Sequence, residues 1–189
     1  MPVADESLLN RVASKLGEPP SYAGDTVKGS LLTAAAASYG SKPTGDEATQ
    51  PTGFDPGAAA LFEAVVESAY LVAYADGEFD ATEQQAFQHV VLSACEDRVA
   101  ESQVKALLAD LADQLEEDGM DKRIKMVART VNRPEHAEEV LRMAALLAHV
   151  SGGVSAEEHA VLEKLTREFQ LDPEALERAL GEAESALEG

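Results

Sequence analysis

Four acids within eight residues, Asp76, Glu78, Asp80 and Glu83, are the groups in this sequence whose types and spacing point most directly to chemistry. Carboxylates this close repel one another unless solvent, a base or a cation offsets them. Asp76, Glu78 and Asp80 copy positions one, three and five of an EF-hand loop, and the copy stops there. That loop needs Gly at position six and Glu at position twelve, whereas Gly77 falls at position two and Phe87 at twelve. An EF-hand is excluded. An ion held here would be a hard cation such as Ca²⁺ or Mg²⁺, taking oxygens from this turn with Glu158 as a further donor. The alternative reading needs no ion. Asp80 and Glu83 have the spacing of a capping box, in which each side chain accepts from the other residue's backbone. Capping leaves Asp76 and Glu78 unaccounted for.

The acidic turn has a counterpart. Residues 69–87 (AYLVAYADGEFDATEQQAF) recur in degenerate form as 144–162 (AALLAHVSGGVSAEEHAVL), an offset of 75 residues (144 − 69). Ala69, Leu71, Ala73, Gly77, Ala81 and Glu83 recur as Ala144, Leu146, Ala148, Gly152, Ala156 and Glu158. Each copy reads as an apolar helix end, a Gly turn, an acceptor residue and a Glu opening the next helix. Two related helical hairpins with their turns as equivalent sites are expected. Ser155 with Glu158 repeats the capping-box spacing.

Other constellations carry less. The histidines His89, His136, His149 and His159 offer no i, i+4 pair, and one cysteine cannot build a Cys/His zinc set. His149 reads as a packed helix-end residue near the second turn, and His159 as solvent-facing. There is no Gly-x-Ser-x-Gly elbow, phosphate-binding Gly loop or Cys–His signature. A paired-carboxylate hydrolase on Asp76 and Glu83 lacks any visible pocket, so a non-enzymatic protein is expected. Lys122, Arg123, Lys125 and Arg129 form the one dense basic patch, read as a solvated helix surface pairing with Glu116, Glu117 or Asp118. The competing reading is a dock for an acidic partner.

Composition narrows the partners. The 189 residues carry 35 acids and 15 Lys or Arg, a formal charge of −20. Phosphates would be repelled, which argues against nucleic acid and against an anionic membrane surface. Cations and basic protein surfaces remain complementary. The lone Cys95, in an apolar run, reads as a buried structural thiol in a reducing compartment. No signal peptide or membrane-spanning run is evident in the sequence, so a cytoplasmic location is expected.

These groups must be positioned by helices, since Ala, Leu and Glu dominate and no alternating strand is evident. Asp55–Pro56 opens the core as an acceptor cap followed by Pro at the first helical position. Seven helices are expected over 55–189: about 57–75, from 81 to near 95, 103–117, one after Gly119 containing Ile124 and Val127, 133–150, 156–169, and one from Asp172–Pro173 to near 187. Asn132 with Glu135 reads as the capping box of the fifth. Residues 1–54 read as an N-terminal arm and linker, largely disordered. It holds two possible short helices, one carrying Leu8, Leu9, Val12 and Leu16, the other spanning 31–37. A polar Pro/Gly/Thr stretch follows at 41–53.

The motif ADGEFDATE (75–83), in a seven-helix domain with a second copy downstream, resembles the TerB-like tellurite-resistance family over about 58–187. The resemblance implies an all-α domain of two pseudo-symmetric halves, with acidic residues at the two turns proposed to bind metal. It implies a setting in bacterial stress systems, where such domains act near membranes or in multiprotein complexes. By position, the family's Asp–Gly pair corresponds to Asp76 and Gly77, and its helix-opening Glu to Glu83. Gly152 and Glu158 match in the second copy, but Ser151 stands where the family usually has Asp, removing one carboxylate. The expected function is a non-enzymatic stress-response protein working through protein contacts, with a divalent cation held by Asp76, Glu78, Asp80, Glu83 and Glu158. The alternative is a cation-independent adaptor whose N-terminal arm docks the partner.

Overall fold

The computed structural model describes residues 5–43 and 54–188. Among the described residues it comprises nine α-helices and no strand. These are α1 (Glu6–Gly17), α2 (Leu31–Gly40), α3 (Pro56–Ala73), α4 (Ala81–Ala94), α5 (Glu101–Asp118), α6 (Met120–Thr130), α7 (Pro134–Ala148), α8 (Ala156–Glu168) and α9 (Pro173–Leu187). A 3₁₀ turn, His149–Ser151, follows α7. The seven helices expected over 55–189 correspond to α3 through α9.

Local chemistry sets most helix starts. The Asp55 side chain accepts from the amides of Gly57 and Ala58, with Pro56 in the first turn. Asp80 with Glu83 and Ser155 with Glu158 form complete capping boxes. The start of α7 corrects the expectation of an Asn132–Glu135 box. Arg133 is the cap, in extended conformation and without a side-chain bond. Pro134 decides this: a proline favours the first helical position and pushes the residue before it out of helical geometry.

Helices α3 and α7 form the centre. Residues 64–72 of α3 and 139–148 of α7 are all buried, so each helix is enclosed on every side. By length and composition α3 is apolar enough to cross a membrane, with mean hydropathy 1.3, yet 61% of it is buried inside the fold. Its apolarity is accounted for by packing against α2, α6, α7 and α8.

Three charged side chains lie within this apolar centre, each with a specific partner. Glu67 on α3 receives a bidentate bond from Arg123 on α6, Nε to Oε1 at 2.6 Å and Nη2 to Oε2 at 3.0 Å. Asp118 takes a third Arg123 bond at 3.1 Å. Arg123 is therefore not part of a surface basic patch; Lys122 pairs with Asp118 and Lys164 bridges to Asp121. On α7, Glu139 accepts from the Leu31 amide at the start of α2, where a carboxylate also meets the positive end of the helix dipole. One turn on, Arg142 donates to the carbonyls of Lys15 and Glu18 at the opposite-signed end of α1.

Those contacts overturn the reading of residues 5–43 as part of a disordered arm; residues 1–4 lie outside the described residues. Val12, Leu16, Leu32 and Ala36 are at most 1% exposed within the same hydrophobic cluster as α3 and α7. Helix α1 packs on α4, α7 and α9, while α2 packs on α3, with Tyr39 stacked on Phe62 at 4.5 Å between ring centroids. At Gly40 a Cβ would fall 1.9 Å from the Arg98 carbonyl oxygen, so only glycine permits this approach. Of the expected linker, residues 44–53 lie outside the described residues.

Two measurements test this core. Arg123→Met strands the buried Glu67 carboxylate and should cost about 3–5 kcal/mol, whereas Glu67→Met with Arg123→Met should recover most of it. Urea unfolding of both variants reads the difference, and equal losses would mean the pair is not mutually compensating. Burial raises the Glu139 carboxyl above its ordinary range, outweighing the Leu31 amide and Arg142. The stability this group contributes is therefore present at low pH and lost as pH rises through its folded pKa. Glu139→Gln, whose amide oxygen still accepts from Leu31, should be more stable than wild type at pH 7 and indistinguishable at pH 3. A variant weaker at pH 7 would mean that the charge matters more to Arg142 and α2 than its burial costs.

Candidate functional site

The two hairpins keep the sequence offset to the residue. Helix α3 ends at Ala73 and α4 starts at Ala81; α7 ends at Ala148 and α8 starts at Ala156. Gly77 (φ +88°) and Gly152 (φ +106°) occupy equivalent turn positions, in the left-handed region that favours glycine. The turns meet across a cavity of about 180 Å³. Asp76, Asp80 and Glu83 from the first turn and Glu158 from the second line it, against an apolar wall that includes Phe79, Phe87, Leu147 and Val150.

Each acid is placed by its own turn. Asp76 Oδ1 accepts from the Glu78 amide at 2.9 Å. Asp80 Oδ1 accepts from the amides of Thr82 (2.7 Å) and Glu83 (2.8 Å), and Glu83 Oε2 accepts from the Asp80 amide at 3.0 Å. Glu158 Oε2 accepts from the Ser155 amide at 2.7 Å. These backbone bonds engage one oxygen of each carboxylate, and the Ser155 side chain bonds Glu158 as well. Phe79 fixes the first turn to the core, its ring edge-on to Tyr70 at 5.4 Å and to Phe87 at 5.7 Å. Gln84 donates to the Phe79 carbonyl at 2.9 Å and closes the loop.

Glu158 is 8% exposed. Burial raises its carboxyl above the ordinary range against the opposing Ser155 bonds, the Asp76 charge raises it further, and His149 partly relieves it. His149 is buried with Nδ1 2.8 Å from the Ala145 carbonyl oxygen. A carbonyl only accepts, so Nδ1 carries the proton.

Four of the five expected cation ligands thus share one cavity. Glu78 does not: it is exposed and absent from the lining. Among the described residues no three His, Cys, Asp or Glu side chains are gathered in a metal-holding group as they stand. The donor chemistry suits a hard cation, but the spacing requires the acids to draw together around one. Sequence reasoning missed the apolar wall and with it the pocket itself. The available signal was Phe79, a large aromatic in an otherwise polar turn. Cys95 is fully buried, which pushes its thiol up to about 12 and makes it inert as a nucleophile. His159 lies partly exposed, 3.7 Å from Glu163.

No curated protein and no solved structure matches the chain. A family profile described as Tellurite resistance protein TerB matches residues 62–181, a stretch that begins within α3, ends within α9 and contains both turns. The chain, whose described residues are all-helical with paired turns at the expected offset, belongs to the TerB tellurite-resistance family.

Proposed function

We propose that this protein is a non-enzymatic, cytoplasmic component of a bacterial stress response of the tellurite-resistance type, acting through protein contacts that a divalent cation governs. Ca²⁺ or Mg²⁺ would sit in the cavity between the turns, held by Asp76, Asp80, Glu83 and Glu158. The observation that carries this reading is the buried Glu158 carboxylate beside Asp76, in a cavity whose described lining contains no basic side chain. A cation there relieves the repulsion and uses the carboxylate oxygens left free by capping. It would draw the α3–α4 and α7–α8 turns together and set the surface a partner meets. Glu78 is left out of the ligand set.

The non-enzymatic reading rests on the capping bonds, which commit Asp76, Asp80, Glu83 and Glu158 to holding their own turns. The adaptor reading is less favoured. Val12 and Leu16, which would have docked a partner, already pack inside the fold.

The test uses Asp76→Asn with Glu83→Gln, whose amide oxygens still accept the capping bonds. After chelator treatment, Ca²⁺ at a hundred times its Kd should stabilise the wild type by about 2.7 kcal/mol. For a chain of this size that is a rise of roughly 5–10 °C in Tm, read by calorimetry. The variant should show no rise. Wild-type protein indifferent to both Ca²⁺ and Mg²⁺ would overturn the cation reading.

A further inference from the structure

We infer that the cavity between the turns receives a primary alkylammonium group, the side chain of a lysine presented by a basic segment of a partner protein. The inference rests on the reading of this cavity as the binding site, but not on whether a divalent ion enters it. Three observations carry it.

The wall is mixed. A hard divalent ion gains only from its oxygen shell, and nothing from Phe79, Phe87, Leu147 or Val150. A lysine side chain has an apolar four-carbon stem behind its charge, which matches a cavity apolar on one side and acidic on the other. The rings of Phe79 and Phe87 add an aromatic surface of the kind that attracts ammonium groups.

The acids are spread. No three of them are gathered as a metal group, and each has one oxygen engaged by a backbone amide. Arginine recognition favours a carboxylate with both oxygens free for the guanidinium fork. Single free oxygens around a cavity suit a compact ammonium with three rotatable donors.

The charge is compensated only in part, by the buried His149. Glu158 is buried, Asp76 stands against it, and no lysine or arginine is in the described lining. The whole chain carries −20, so a basic partner is drawn towards it from a distance.

The experiment follows backbone amide resonances of ¹⁵N-labelled full chain at constant ionic strength, in particular Gly77 and Gly153 on the two turns. The probes are n-butylammonium chloride, n-butanol as its uncharged counterpart, a short lysine-containing peptide, the same peptide with norleucine, and CaCl₂. Butylammonium and the lysine peptide should produce saturable shifts at both turns, about tenfold tighter than butanol and the norleucine peptide. Glu158→Gln and Asp76→Asn, each of which keeps its capping acceptor, should weaken both by about tenfold. Butylammonium binding no better than butanol, or binding unchanged in both variants, would overturn the inference. Butylammonium binding without lysine-peptide binding would overturn the partner it names. Shifts with CaCl₂ alone would overturn it while leaving the cation reading intact. Shifts with butylammonium but not CaCl₂ would support it and remove the cation reading.

Discussion

The geometry of the cavity depends on the enclosure of α3 and α7 on every side. A helix with one buried face can roll or slide on its support; one buried around its whole circumference is held in rotation and in register. Because each turn directly continues one of these helices, core packing fixes where the turns sit, and the bonds within them place Asp76 and Glu158. The aromatic contacts of Phe79 extend that control one step further, from the end of α3 into the turn. A site on seven-residue connections thereby acquires the placement of a site on helices.

The same two helices carry the charges Glu67, Glu139 and Arg142, and the choice of partner is physically consistent. Glu67 meets a guanidinium with both oxygens. Glu139 meets a helix start and Arg142 a helix end, so each charge opposes the dipole it touches. Beyond the apolar packing, a buried charge misaligned by one residue would lose its partner. These three contacts fix α6, α2 and α1 in one register on the central pair, a role for buried charge that fits the general association with specificity rather than net stability.

Much of this was legible in the sequence. The repeat at 75 residues, the two capping boxes, Pro56 and Gly119 are local or periodic signals, and the helices follow them closely. What the sequence concealed has a common cause: the partner lies far along the chain. Arg123 reads as part of a basic surface because Glu67 is 56 residues away. Leu16 reads as part of a mobile arm because the groups that hold its helix lie far downstream, in α4 and, more than a hundred residues on, at Arg142. Asn132 is a different case, a short-range conflict in which Pro134 prevailed. The cavity was hidden for both reasons. Its acids are contiguous enough to notice, but its wall is assembled from α3, α4 and α7.

The seat of α1 has a consequence for how the chain is made. Synthesis delivers α1 well before α4, α7 and α9, the helices it rests on. Until α9 follows, Val12 and Leu16 have no complete surface to cover them, and the growing chain carries an unsatisfied apolar stripe. Folding of this domain therefore cannot be finished in the order of synthesis, because α1 has to close onto α7 and α9 across more than a hundred residues.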